Sequence, residues 1–210
     1  MRILVPIFLI LFMIVGLSAC TPADNPTATP TPADSIQVEY PATTIHGAEL
    51  SESLSEEVKE AIRGSVIPYQ GVTYDSIDIS VENSGDALSL RVISTSTSCE
   101  YPDLYDFTYH TDTHELIQTG YILEAIPPGE KSVAITIAFR DEQVRNLFES
   151  GNLGSTKPTV RRVLPETSAK FYLPKTLLSV TWITIGEDPI TISVLLDPDE
   201  KVVIQTWTSG

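Results

Sequence analysis

This chain is short of basic charge, histidine, cysteine and long apolar runs, and each shortage closes off a class of function. It carries 13 Lys and Arg against 28 Asp and Glu, a formal net charge of −15 over 210 residues. Such a balance repels polyanions and anionic headgroups, so no nucleic-acid partner is expected. Cationic partners, divalent ions or a salty habitat remain open. The histidines are His46, His110 and His114. There is no HExxH pair, no GxSxG elbow and no glycine-rich phosphate loop, so the chain is read as non-enzymatic. Cys20 and Cys99 are the only cysteines, too few for a disulfide-built fold. One apolar block stands out, ILVPIFLILFMIV over residues 3–15, and it contains Pro6. A membrane-spanning helix needs roughly 20 apolar residues, so this block is better read as part of a leader.

What is present at that end supports the leader reading. Arg2 precedes the block, and the small residues Gly16, Ser18 and Ala19 follow it, the order of a secretory signal peptide. The tetrad Leu17-Ser18-Ala19-Cys20 resembles the lipobox of bacterial and archaeal lipoproteins. That resemblance implies cleavage after residue 19, a diacylglyceryl group on the Cys20 sulfur, and a lipid-anchored protein facing outside the cytoplasm. A two-chain lipid supplies the two hydrophobic signals that stable anchoring needs. Removing residues 1–19 takes away Arg2, so the mature chain would carry −16. Cys99 is then left without a partner in its own chain. Between Thr21 and Asp34 lie four prolines and four threonines with nothing more apolar than alanine. At about 3.1 Å per residue for extended proline-rich chain, this run is a stalk of roughly 40 Å, with threonines open to O-glycosylation.

Beyond the stalk the apolar periods change. SLSE from Ser53 to Glu56 reads as a capping box, with Leu54, Val58, Ala61 and Ile62 at helical spacing before Gly64. A second helix is expected after Asp141, with Val144, Leu147 and Phe148 on one face and Gly151 as its stop. Elsewhere the period is two: Ile77, Ile79 and Val81 pair with Leu88, Leu90 and Val92 across NSGD, and Leu178, Val180 and Trp182 pair with Ile190 to Leu196 across GEDP. SEEV at 55–58 matches DEQV at 141–144, and IQT at 117–119 matches IQT at 204–206. The near-equal offsets suggest a tandem repeat.

The expected fold class is therefore α+β, with two small modules, each a short helix on an antiparallel sheet. The expected divisions are a leader over 1–19, a stalk over 20–35, and modules over 36–125 and 126–210. Each module resembles the PepSY-type domains of extracytoplasmic proteins, in which a helix packs on a small sheet and the last hairpin turns on an Asp-x-x-Thr-Gly-like sequence. Here the turns are Asp112-Thr113-His114-Glu115 and Asp197-Pro198-Asp199-Glu200-Lys201, both without the glycine. The resemblance implies a peptidase-binding or peptidase-inhibiting role and assigns it to no residue. The competing reading starts from IPPGEKSVAITIAF, where Val133, Ile135, Ile137 and Phe139 alternate. This resembles the closing strand of an immunoglobulin-like sandwich over 70–139, with a helix-plus-sheet module after it.

Three groups of residues are candidates for binding. His110, Asp112 and His114 recur every second residue; on an extended strand they share a face suited to zinc or copper. Turn chemistry at Thr111 to Thr113 would instead leave the two histidines flanking a hairpin with Asp112 in solvent. Asp197 and Asp199 have the alternate spacing of calcium ligands but lack the loop's glycine and its later glutamate. Tyr101, Tyr105, Phe107, Tyr109 and Tyr121 are either core packing or an aromatic recognition patch. The expected function is that of a lipid-anchored binding protein for an extracytoplasmic protein or peptide. The alternative is a surface metal-binding protein using the HTDTH segment.

Overall fold

The computed structural model describes residues 41–151, 156–184 and 189–210. The leader, Cys20 and the stalk lie outside the described residues, as does most of the GEDP turn. Residues 39–210 form one compact unit of the α+β class, with two sheets.

The first module opens with strand β1 (Ala42–Gly47) and helix α1 (Glu52–Ser65). A four-strand meander follows: β2 (Ser76–Ser84), β3 (Ala87–Thr95), β4 (Asp103–His110) and β5 (Glu115–Leu123). The sheet order is β1-β2-β3-β4-β5; only β1 pairs in parallel. Parallel neighbours need a crossover, and α1 is that crossover. Ser51, rather than the expected Ser53, caps the helix, its Oγ accepting from Leu54 N at 3.3 Å. Val58 and Ile62 are fully buried against the inner face of Ile77, Ile79, Val81, Leu90 and Val92, each contributing about 1.5–3 kcal/mol. At the end of β1, Gly47 has φ +101°, and a Cβ there would run into the Val81 carbonyl, so only glycine fits both the angle and the approach.

The second module begins with α2 (Pro128–Ala138) and α3 (Glu142–Glu149). Strand β6 (Thr159–Val163) follows, then a short helix α4 (Pro165–Ser168) running into a 3-10 turn. The antiparallel sheet is completed by β7 (Leu177–Ile183), β8 (Thr191–Asp197) and β9 (Val202–Ser209), in the order β6-β7-β8-β9. Helix α2 overturns the immunoglobulin-like alternative, because residues 128–138 are helical and not a strand. Pro128 occupies the first turn, where its fixed φ and missing N–H suit a helix start. Ala134, Ile137 and Ala138 then supply the buried i, i+3, i+4 stripe, while Val133 stays 43% exposed. Helix α3 starts where expected: Asp141 Oδ1 accepts from Gln143 N at 2.8 Å and Val144 N at 3.3 Å. Phe139 seats edge-on against Trp182 at 5.5 Å and Phe148 at 5.4 Å, closing the helices over the sheet.

The internal matches fall on equivalent elements. Val58 of SEEV and Val144 of DEQV are both fully buried, in α1 and α3. The IQT triplets lie in β5 and β9, and each final hairpin carries a bulge inside its triplet, at Thr119 and at Ile204. The preceding turns end on His114 (φ 56°) and Lys201 (φ 55°), left-handed positions that favour glycine. Both halves thus run helix and then four antiparallel strands.

Candidate functional site: a cleft at the joint between the modules

The joint forms where β4, β6 and the connection after β5 meet. Inward alternation along β4 buries Asp103 and Tyr105, and alternation along β6 buries Val160 and Arg162. Asp103 Oδ2 accepts from Tyr74 Oη at 2.6 Å and from Arg162 Nη2 at 2.9 Å, while its Oδ1 accepts from Ala125 N at 2.7 Å. Arg162 Nη2 also donates to Tyr105 Oη at 3.1 Å, and Tyr105 Oη donates to the Ile67 carbonyl at 3.1 Å. The Arg162 and Asp103 side chains are 4% and 1% exposed. Desolvation pushes both phenols above their ordinary range, and at Tyr74 the facing Tyr105 and Asp103 push the same way. Both tyrosines therefore stay protonated donors. Around this network Tyr121 Oη accepts from Leu164 N at 3.2 Å and donates to Thr167 Oγ1 at 2.7 Å, and Arg161 pairs with Glu124 at 2.8 Å.

Beside the buried pair lies a cleft of about 500 Å³, within the usual range for small-ligand sites. Its walls come from the Ile67–Gln70 segment after α1, Gln118 of β5, Leu164, Pro165 and Glu166 after β6, and Pro198 with Asp199 in the last turn. Both modules contribute, and Arg162 and Tyr105 lie on its lining. A guanidinium has five N–H donors. Among the described residues both hydrogen bonds of Arg162 leave through Nη2, so Nη1 makes none and the buried Nε has no partner. An open donor set on a buried cation is uncommon, because unmet buried polar groups are costly.

The residues singled out from sequence are placed elsewhere. Strand β4 ends at His110 and β5 starts at Glu115, so His110, Asp112 and His114 do not share a strand face. Instead His114 Nδ1 and the Tyr109 hydroxyl both meet Glu57 Oε1 of α1, and these contacts hold the Glu57 carboxyl below the usual range, Tyr109 first and His114 second. Among the described residues no three His, Cys, Asp or Glu side chains gather as metal ligands. The arrangement is the hairpin that the turn chemistry at Thr111 to Thr113 offered as the second reading, with Asp112 exposed. The Asp197 carboxylate is committed to Lys175 and to the backbone N–H groups of Asp199 and Glu200, which shapes the last turn.

The remaining expectations divide. Tyr105, Phe107 and Tyr109 are core residues, whereas Tyr101 is 41% exposed beneath Lys131 Nζ, 4.5 Å from its ring centre. Cys99 is a half-buried free thiol packed on the first core. Arg162 was not among the sequence candidates. The available signal was TVRRV: two successive arginines in a strand cannot both face solvent when Val160 and Arg162 share a face. Among the described residues no helix is long and apolar enough to cross a membrane. Comparison with protein-family models, with curated proteins and with solved structures gives no match in any of the three.

Proposed function

We propose that this chain is a lipid-anchored, extracytoplasmic binding protein without catalytic activity, which holds its ligand in the cleft between its two modules. The observation that carries the binding part is the cleft itself, walled by both modules and floored by Arg162 with donors unused. Its polar groups serve recognition: a positioned cation, side-chain amides and protonated tyrosines, set among apolar proline, leucine and isoleucine. Anchoring is supported by Leu17-Ser18-Ala19-Cys20 and by the proline-threonine run that precedes the compact unit at Glu39. The resemblance of each module to PepSY-type domains adds peptidases and their peptides to the partners worth testing.

Two measurements test this reading. A panel of small molecules and short peptides is presented to the full-length chain in detergent and read by hydrogen exchange. Protection is expected over 67–70, 162–166 and 198–199; protection confined to other segments, or none, rejects the cleft as the site. Cys20→Ser is expected to move the protein from the membrane to the soluble fraction, and a variant still on the membrane would reject lipid anchoring.

A further inference from the structure

Resting on the reading of the cleft as a ligand site, we propose that it recognises the free C-terminal carboxylate of a peptide, with Arg162 as its carboxylate receptor. The first support is the donor inventory. Arg162 lines the cleft, is 4% exposed, and keeps Nε and Nη1 without hydrogen-bond partners among the described residues. The Nε–H is sealed from the cleft and lies on the Nη2 side of the guanidinium, so the donor left to a ligand is Nη1, and a carboxylate oxygen accepting there makes a charge-assisted hydrogen bond.

Charge then selects the kind of anion. The single positive charge is already paired with Asp103, Glu166 and Asp199 stand at the walls, and the chain carries −15. A phosphate-like or polyanionic ligand meets net repulsion here. A zwitterionic peptide, with one carboxylate and one ammonium, carries no net charge and escapes that repulsion. Glu166 and Asp199 favour a cationic group elsewhere on the same ligand.

The walls select the body. Ile67, Pro68, Leu164 and Pro165 offer apolar contact, and Gln70 and Gln118 offer amides that both donate and accept. Alternating amide and apolar groups behind one carboxylate is the chemistry of a peptide end. The cleft of about 500 Å³ accommodates a few residues rather than a folded partner.

The test varies the ligand before the protein. Trialanine with a free C-terminus and trialanine amide are titrated calorimetrically into the full-length chain in detergent, with hydrogen exchange to locate each. The free peptide is expected to bind at the cleft, and amidation to weaken it at least about tenfold, as loss of a charge-assisted contact does. Inorganic phosphate is expected not to displace it. Arg162→Lys keeps the charge facing Asp103 but removes the Nη1 donor, and is expected to weaken the free peptide about tenfold while leaving the amide unchanged. Should that variant misfold, the comparison of the two peptides on the unmodified chain still decides. Equal binding of both peptides at the cleft, or displacement by phosphate, overturns the carboxylate assignment while the cleft stands as a site. No binding of the free peptide at millimolar concentration also overturns the assignment. Failure of every probe in the wider panel to protect the cleft removes the underlying reading as well.

Discussion

The two modules share an order of elements and differ in what they bury. In the first, the inner face mixes aliphatic residues with Tyr74, Tyr105, Tyr109 and Asp103, and the hydroxyls of Tyr74 and Tyr105 run toward the joint. In the second, the inner face is Val160, Leu178, Val180, Trp182, Ile192, Val194 and Leu196, and its buried charged contribution to the joint is Arg162. A repeated frame thus becomes an asymmetric pair, with one copy holding the acceptors of the joint and the other its cation. The cleft exists because these unlike edges meet.

The largest expected effect comes from separating the edges. Arg162→Met leaves Asp103 buried without its cation, and breaking such a pair from one side costs about 3–5 kcal/mol. Asp103→Asn together with Arg162→Met is expected to recover part of that loss, because both charges are then gone while the amide oxygen still accepts from Ala125 N. Both tryptophans, Trp182 and Trp207, lie in the second module, so their fluorescence reports that module while far-ultraviolet dichroism reports both. In urea the two signals should coincide for the parent chain and split for Arg162→Met. Coincident curves for the single variant would show that the Arg162–Asp103 pair is not what couples the modules.

Next come truncations in each core. Ile62 of α1 and Ile192 of β8 are both fully buried, and replacing either with alanine should cost about 2–5 kcal/mol. If the modules unfold as one, Ile62→Ala shifts the tryptophan transition as far as Ile192→Ala does. A tryptophan curve indifferent to Ile62→Ala would make the modules independent folding units.

The same contrast explains what was legible in the sequence. The hairpins β2–β3 and β7–β8 were read because each has one face on a core and one in water, which writes a period of two into the chain. Helix α3 was read because Asp141 is a strong cap. Helix α2 was misread because Val133, Ile135, Ile137 and Phe139 alternate, while the residues it buries, Ala134, Ile137 and Ala138, give a weak helical pattern. Strand β1 is short, polar and edge-placed, so it carries no periodic signature. The cleft was invisible for a different reason. Its walls lie far apart along the chain, and a buried Arg162 looks like a solvated one until Asp103 is placed opposite.

Smaller effects separate the helix caps. Ser51 Oγ accepts from one helix N–H, that of Leu54, at 3.3 Å, and otherwise meets Ser53 Oγ at 3.3 Å. Asp141 accepts from two backbone N–H groups and also, at Oδ2, from Thr206 Oγ1 of β9 at 2.7 Å. Cap removal typically costs about 0.5–2 kcal/mol, so Ser51→Ala is expected near the bottom of that range and Asp141→Ala near the top. Thermal unfolding of the two variants checks the order, and equal losses would mean that the Thr206 tie adds nothing.

The smallest difference lies in the last hairpin turns. Lys201 sits at φ 55°, a conformation costing a non-glycine residue about 1–2 kcal/mol. Glycine removes that strain but gives back about 0.4–1 kcal/mol through the unfolded chain, so Lys201→Gly should stabilise by about 0.5 kcal/mol. His114 has the same backbone angle, yet its ring meets Glu57, so His114→Gly is expected to give no such gain at neutral pH. The pH profile tells the two apart. The folded state holds the Glu57 carboxyl low, through Tyr109 first and then His114; that support is present above the ordinary carboxylate pKa and is lost as pH falls through the lowered one. The deficit of His114→Gly relative to Lys201→Gly should therefore shrink as acid protonates Glu57. A deficit constant from neutral pH to below the carboxylate range would mean that the Glu57 contact contributes nothing to stability, and that the two turns differ for another reason.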